Sequence, residues 1–288
     1  MYTYLQLVRI DQWVKNVFIF VPLFFAGQIQ DASRFGLVVG AFVAFCAMAA
    51  CVYILNDWKD RPFDRLHPDK KHRPLASGRI GVKAALGLAV LLGGISLGLG
   101  YWVDPWVAAL LFLYWLINMA YTFRLKEVAV VDISIIAFGF LLRVFVGGVA
   151  AGVPVSKWLV VMTFLLAMIL GLGKRRGEFV RGGAEAPTRK ALQGYNLNFI
   201  DTAMVMMSSI TIVAYLMYTV SEEVVERLGN EYVYCTTLFV ILGILRYLQL
   251  ALVFNRSESP TKLIWTDRFL QLIILMWSLS FAYLLYTR

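Results

Sequence analysis

The chain is predicted to be an all-α, polytopic membrane protein with about nine transmembrane helices, and three observations carry that expectation. Of its 288 residues, 60% are hydrophobic and 16% charged, with a mean hydropathy of +0.71. Soluble domains run closer to half apolar and a quarter charged. The charges are also bunched, leaving long runs almost free of them. Those runs recur at lengths near the ~20 residues a helix needs to cross ~30 Å of hydrocarbon.

Nine segments qualify or nearly so, at about 14–27, 35–55, 83–102, 105–122, 128–150, 156–173, 200–220, 232–254 and 265–286. The first is short and interrupted by Pro22, so it is expected to kink or to begin earlier, along an interfacial stretch carrying Trp13. Trp13, Trp102, Trp106, Tyr232, Tyr234 and Trp265 fall near segment ends, where amphipathic rings favour the headgroup level. Cys46, Cys51 and Cys235 lie in apolar sequence without partners at metal-ligand spacing. They read as buried small hydrophobes, with no disulfide. Leu5 to Ile10 is too short for a secretory signal and is broken by Arg9, so none is expected.

Orientation follows from Lys and Arg. If the segments alternate across a bilayer, one side holds 21 basic residues, including eight from Lys59 to Lys83 and six from Lys174 to Lys190. The other side holds 4, and Arg143 and Arg246 lie within spans. The positive-inside rule places the N-terminus and the two long loops, about 56–82 and 174–199, in the cytoplasm, with the C-terminus outside. The expected location is the cell (inner) membrane. A basic face beside anionic lipid accounts for the net charge of +9 without a nucleic-acid partner.

The chemistry concentrates where the second span ends. From Asn56 the chain reads N-D-W-K-D-R-P-F-D. Asp57, Asp60 and Asp64 are spaced i, i+3 and i+7, on one face of a helix, with Asn56 beside them. Three crowded carboxylates repel one another unless a cation holds them. An all-oxygen set suits Mg²⁺, with Mn²⁺ as an alternative. A solvated loop would explain mixed charges but not a single row of acids with an amide at its head. Pro62 interrupts the row and disfavours helix at Arg61, making Asp64 the least secure ligand. Lys70, Lys71, Arg73 and Arg79 follow at once, together with His67 and His72. Acids for a metal beside bases for phosphate point to a phosphorylated or diphosphate substrate.

The row Asn56-Asp57-x-x-Asp60-x-x-x-Asp64 resembles the first aspartate-rich motif of the UbiA-type prenyltransferase superfamily. More narrowly, several stretches resemble its polyprenyl-phosphate phosphoribosyltransferase branch, which includes the decaprenyl-phosphate enzymes. These are Gln12-Trp13-Val14-Lys15-Asn16, His67-Pro68, Arg73-Pro74 and Tyr121-Thr122-Phe123-Arg124-Leu125-Lys126. Asp132, Leu142-Arg143-x-x-x-Gly147-Gly148 and Gly173-Lys174-Arg175 continue the set. The wider superfamily carries a second aspartate-rich motif between spans six and seven. Here that loop opens Lys174-Arg175-Arg176-x-Glu178 and holds no aspartate before Asp201.

The resemblance implies one catalytic domain over residues 1–288, a UbiA-like bundle capped by the two long loops. It implies transfer of 5-phosphoribose from phosphoribosyl diphosphate to a polyprenyl phosphate in cell-wall biosynthesis, with Mg²⁺-assisted loss of diphosphate. Asn56, Asp57, Asp60 and Asp64 would hold the metal. Asp57, Asp60 and Lys126 would be catalytic. Lys15, Asn16, Lys70, Arg73, Tyr121, Arg143, Lys174, Arg175, Glu178, Arg189 and Tyr195 would bind substrate. The bilayer is the standing partner, and a homo-oligomer is allowed. The alternatives are an aromatic prenyltransferase using a prenyl diphosphate and, more remotely, a transporter. The gathering of polar residues on one face argues against transport.

Arg143 poses a separate question, because a cation deep in an apolar run needs company. Asp132 lies about 16 Å away by helix rise, too far to pair. Arg143 must therefore meet another helix's carbonyls or a substrate. Arg246 poses the same question.

Overall fold

The computed structural model describes residues 2–66, 70–182, 190–257 and 260–286, and among these it is helical with no strand. The helices are α1 (Tyr2–Leu7), α2 (Val21–Phe25), α3 (Ala32–Asp64), α4 (Val82–Val103), α5 (Pro105–Phe123) and α6 (Val131–Ala151). They continue as α7 (Lys157–Gly182), α8 (Leu197–Thr219), α9 (Glu222–Leu228), α10 (Thr237–Leu248), α11 (Pro260–Thr266) and α12 (Arg268–Tyr286). Among the described residues, seven helical stretches are long and apolar enough to cross a membrane: α3 to α8 and the stretch Glu231–Val253 that contains α10. A shorter apolar helix, Arg268–Leu284, follows. The protein is a multi-pass membrane protein.

The first predicted segment is not one continuous α-helix. Ile10–Phe20 forms a 3₁₀ helix that leads into α2, with Pro22 in the first turn of α2, where a missing N–H costs little. A 3₁₀ helix rises about 2 Å per residue, so this short segment reaches further than its length suggests. Capping sets the other starts. Asp31 accepts from Ser33 and Arg34 N–H at the head of α3, Asp104 caps α5 ahead of Pro105, and Asn196 caps α8.

Two expected boundaries move. α3 runs through Pro62 to Asp64, because a proline so near a helix end removes a single backbone bond. α7 continues to Gly182, so Lys174, Arg175 and Glu178 are helical rather than part of a loop. Lys, Arg and Glu are good helix formers, and leaving the apolar window gives them no reason to unwind.

The chain forms two compact units, Met1–Lys126 with Leu141–Val155, and Glu127–Phe140 with Ser156–Arg288. In the first, α3 is the central element and packs on α4 and α5. Its apolar window is 67% buried, against 17% for α4, so α4 presents most of its apolar surface outward. Ile19, Phe45, Met48, Leu111, Leu142 and Val146 make the main core, and Leu7, Ile54, Leu75 and Ile80 a smaller one. Gly147 brings α6 onto the 3₁₀ segment: a Cβ there would stand 1.8 Å from the Ile19 carbonyl oxygen.

The second unit centres on α7, packed on α8, with Ile133, Ile169, Leu172, Ile200, Met204, Tyr247 and Leu250 in its core. Gly173 lies under the Tyr247 hydroxyl, 2.0 Å from where a Cβ would sit. After α10 the chain makes a π-helical turn, Gln249–Val253. Cys46 and Cys51 are free and buried as expected. Cys235 is also free but exposed, because the 3₁₀ turn Glu231–Thr236 ahead of α10 leaves Tyr232, Tyr234 and Cys235 on its outer side.

Candidate active site

The last turns of α3 carry Asn56, Asp57, Asp60 and Asp64 out of the core of the first unit. Asp57 and Asp64 are buried, and Asp60 keeps 24% of its side chain exposed. The sequence suggests that a shared cation must hold the three carboxylates together. In the fold, three basic side chains from distant parts of the chain meet these carboxylates. Arg9 Nη2 donates to Asp57 Oδ1 at 2.5 Å. Arg73 Nη1 donates to the same Asp57 oxygen at 3.1 Å and to Asp64 Oδ2 at 2.7 Å. Lys126 Nζ donates to Asp60 Oδ1. Asn56 joins the row, donating to Asp60 Oδ2 at 3.3 Å while its own Oδ1 accepts from Thr122 Oγ1 at 3.3 Å. Three acids therefore meet three bases, a neutral set in formal charge.

Local folding explains why Arg73 arrives. Leu75 and Ala76 lie back against the end of α3, where Arg61 and Arg65 donate to their carbonyls, each at 3.1 Å. Leu75 and Ile80 are buried beneath, and Ser77 Oγ donates to the Arg73 carbonyl at 2.8 Å. Arg9 is placed by a left-handed backbone (φ 52°) between α1 and the 3₁₀ helix, with its guanidinium 4.9 Å from the Tyr53 ring centroid.

The oxygen-only donor set fits a magnesium ion. Among the described residues no three His, Cys, Asp or Glu side chains converge as a ready metal cage. Mg²⁺ asks for less, taking one or two carboxylates and completing its shell with water and substrate phosphate. Both ion pairs of Asp57 fall on Oδ1 and that of Asp64 on Oδ2, which leaves one oxygen of each outside these pairs.

The second unit has its own polar cluster. Asp132, fully buried at the start of α6, accepts from Arg175 Nε at 2.6 Å on one oxygen and from Tyr195 OH at 2.7 Å on the other. Arg175 Nη1 also donates to Glu178 Oε2 at 2.6 Å. Burial first, and then the hydrogen bond to Asp132, push the Tyr195 hydroxyl well above the ordinary tyrosine range, so it stays protonated. Next to it, Arg176 turns to the other side of α7, donating to Asp201 Oδ1, the Ala251 carbonyl and Asn255 Oδ1 at 2.7, 2.7 and 2.6 Å. Its guanidinium closes the end of the π-helical turn.

The expected site residues divide accordingly. Asn56, Asp57, Asp60, Asp64, Arg73 and Lys126 come together as one cluster. Asn16 and Arg143 form another: Arg143 Nε donates to Asn16 Oδ1 at 2.8 Å, and its guanidinium lies over the Phe45 ring at 4.6 Å. Asn16 also donates to Cys46 Sγ at 3.1 Å. Arg143 is thus met by an asparagine side chain and by the aromatic faces of Phe45 and Tyr114. Arg246 pairs with Asp267 at 2.7 Å.

Asn16, Arg143, Arg175 and Tyr195 are closed off by their own partners, with exposures of 1, 5, 1 and 6%. This argues against direct substrate contact for them in this conformation, because chains that bury polar groups satisfy them internally. Lys15 and Tyr121 are half-buried, on the 3₁₀ helix and the last turn of α5 respectively, and Lys70 begins a short 3₁₀ turn. Lys174 is half-buried on α7. Arg189 lies outside the described residues.

Arg9 and Thr122 were not picked out as site residues from the sequence, and Asp132 was noted only as part of a motif. Arg9 has no local signal, since its partner is 48 positions away. Asp132 had one: a carboxylate opening an apolar span needs a buried partner.

An all-helical membrane bundle that carries an aspartate row and matching bases at the end of one long helix has the architecture of a membrane-embedded transferase. The chain belongs to the UbiA prenyltransferase family, which residues 17–181 match. It is similar to the decaprenyl-phosphate phosphoribosyltransferase of Mycolicibacterium smegmatis, 31% identical over 286 residues, covering 95% of this chain and 89% of that one. The enzyme of the same name from Corynebacterium glutamicum is 31% identical over 282 residues, covering 95% and 83%. Among solved structures, a UbiA homologue from Archaeoglobus fulgidus bound to DMAPP and Mg²⁺ superposes with a TM-score of 0.75 at 18% identity, over 99% of each chain. At that identity the likeness concerns the fold.

Proposed function

We propose that this protein is a membrane phosphoribosyltransferase that moves 5-phosphoribose from phosphoribosyl diphosphate to a polyprenyl phosphate. The observation that carries the reading is the cluster of Asp57, Asp60 and Asp64 with Arg9, Arg73 and Lys126, which sets metal-binding acids beside phosphate-binding bases. The similarity to decaprenyl-phosphate phosphoribosyltransferases over 95% of the chain supports the choice of substrates. So does α7, where the stretch that carries a second acidic motif in the wider family opens with the half-buried Lys174.

In this reading the bond from C1 of the ribose to the diphosphate oxygen breaks, and diphosphate leaves with the electron pair. A phosphate oxygen of the lipid forms the new bond to C1, which becomes oxocarbenium-like on the way. Asn56, Asp57, Asp60 and Asp64 would hold Mg²⁺, which would supply charge neutralisation for the leaving group. Arg73, Arg9 and Lys126 exchange part of their carboxylate contacts for phosphate oxygens, with Arg well shaped for two at once. Thr122 fixes the Asn56 amide. The lipid phosphate is already anionic at neutral pH, so no side chain has to act as a strong base. Catalysis then consists of positioning and electrostatics. Residues 1–288 act as one catalytic domain, with the N-terminus and the site on the cytoplasmic side of the cell membrane.

The test is direct. Purified protein is given Mg²⁺, radiolabelled phosphoribosyl diphosphate and polyprenyl phosphate, and label is followed into lipid. Labelled lipid phosphoribose is expected. No such lipid, with turnover instead on a prenyl diphosphate and an aromatic acid, overturns the assignment.

A further inference from the structure

We infer that Lys15, with Arg9 and the Tyr53 hydroxyl, forms a binding site for a phosphate monoester, that of the lipid acceptor. The identity of the acceptor rests on the proposed function, whereas the anion site follows from the first unit alone.

The 3₁₀ helix Ile10–Phe20 has three residues per turn, so its side chains fall into three rows. Trp13, Asn16 and Ile19 make the inward row, in which Asn16 and Ile19 are buried. Asp11 and Val17 belong to the outward row and are exposed. Gln12, Lys15 and Phe18 form the third row and are half-buried. Lys15 is therefore drawn partly out of water, yet among the described residues no carboxylate pairs with it. The charges that bear on it most are two cations, Arg143 and then Arg9, and the acid Asp11 acts more weakly than either. Asp11 is exposed and takes the Gln12 amide at 2.5 Å. A cation placed beside two others and partly desolvated costs free energy unless an anion joins them.

Tyr53 marks the other side of the same space. It lies on α3 four residues before Asp57, one helical turn towards the apolar part of that helix. The charges of Arg143 and Arg9 bear on it as they do on Lys15. The Arg9 guanidinium stands 4.9 Å from its ring centroid, and its hydroxyl makes no hydrogen bond among the described residues. Lys15 thus brings an ammonium and Tyr53 an O–H to one place, beside an arginine that shares Asp57 with Arg73. A phosphate monoester carries about two negative charges and three acceptor oxygens, which matches this set. The proposed reaction contains two such groups, one on the lipid and one on the ribose. Tyr53 lies a turn closer than Asp57 to the apolar part of α3, the side from which a lipid phosphate arrives.

The test measures thermal unfolding of the full-length protein in detergent with farnesyl phosphate, farnesol or ribose 5-phosphate added. Farnesyl phosphate should raise the melting temperature of the wild type more than farnesol does, as a ligand of the folded state. Lys15→Gln should lose that difference and keep the wild-type response to ribose 5-phosphate. Without ligand it should melt no lower than wild type, because it removes a cation that no acid balances. By calorimetry it should bind farnesyl phosphate about tenfold more weakly, the scale of one charge-assisted hydrogen bond, with Lys15→Arg within about threefold of wild type. In turnover, Lys15→Gln should raise the acceptor KM and leave the donor KM within about twofold.

Equal affinity of wild type and Lys15→Gln for farnesyl phosphate overturns the inference. So does a lowered melting temperature of ligand-free Lys15→Gln, the mark of a cation paired inside the fold. A loss confined to ribose 5-phosphate and the donor KM overturns it as well. A wild type that binds farnesyl phosphate through Lys15 yet makes no lipid phosphoribose overturns the proposed function and leaves the phosphate site standing.

Discussion

The Arg9 guanidinium donates to Asp57 Oδ1 at 2.5 Å, joining the N-terminal segment to the end of α3 across 48 residues. Asp57 also takes Arg73 on that same oxygen, so a single buried carboxylate organises two cations that come from different stretches of the first unit.

Removal of this carboxylate should be felt in catalysis first. Asp57→Ala and Asp60→Ala are each expected to lower kcat/KM by about a hundredfold or more, the scale of losing a preorganised electrostatic group. Both should reach the membrane at near wild-type levels. Arg9→Gln should cost about tenfold, as expected for one charge-assisted hydrogen bond. Steady-state kinetics on purified variants, with membrane content measured by immunoblot, checks all three. Wild-type rates for both aspartate variants would remove the metal assignment.

Chelation offers a second check. EDTA should abolish turnover and Mg²⁺ restore it, with Mn²⁺ restoring part, because hard oxygen ligands accept both ions. Asp60→Asn should shift the Mg²⁺ concentration for half-maximal rate upward while leaving the dependence on lipid phosphate in place.

Gly147 and Gly171 make a paired prediction about stability. A Cβ at Gly147 would stand 1.8 Å from the Ile19 carbonyl oxygen, whereas at Gly171 the nearest atom is Ile133 Cβ at 3.4 Å. Gly147→Ala must push a backbone aside and should cost several kcal/mol, on the scale of the worst overpacked sites. Gly171→Ala should be neutral or gain up to about 1 kcal/mol from helix propensity. Thermal unfolding in detergent distinguishes them.

At Gly173 the obstacle is a side-chain oxygen. Gly173→Ala should lower the melting temperature, because the Tyr247 hydroxyl lies 2.0 Å from the new Cβ. Tyr247→Phe removes that oxygen and leaves the ring carbon at 3.1 Å. The double variant should therefore be more stable than Gly173→Ala alone, a non-additivity of the kind contacting residues show.

Arg143→Ala should destabilise by about 2–4 kcal/mol, combining a lost buried side chain with an Asn16 oxygen left without its donor. Arg143→Lys should recover only part of this, since an ammonium cannot both donate to Asn16 and lie flat on Phe45. Chemical denaturation in detergent, followed by tryptophan fluorescence, gives the comparison.

Much of this protein could be read from its chain. Hydropathy is a local property, so the apolar stretches and the membrane class followed from composition, and the spacing of Asp57, Asp60 and Asp64 put them on one helical face before any fold was known. The helix ends were harder. Pro62 argued for a break that did not occur, and the charges after Gly173 looked like a loop when they extend α7. The first error gave a proline near a helix end the cost of one in its middle, and the second took the end of the apolar window for the end of the helix.

The pairing of charges belonged to the tertiary structure alone. Asp57 meets Arg9, Asp60 meets Lys126, Asp132 meets Arg175 and Arg143 meets Asn16, over separations of 48, 66, 43 and 127 residues. Sequence states which charges exist and roughly how deep each lies. Which oxygen faces which nitrogen is set by how the helices of each unit pack, because an ion pair is decided over a few ångströms and packing alone controls distances that small.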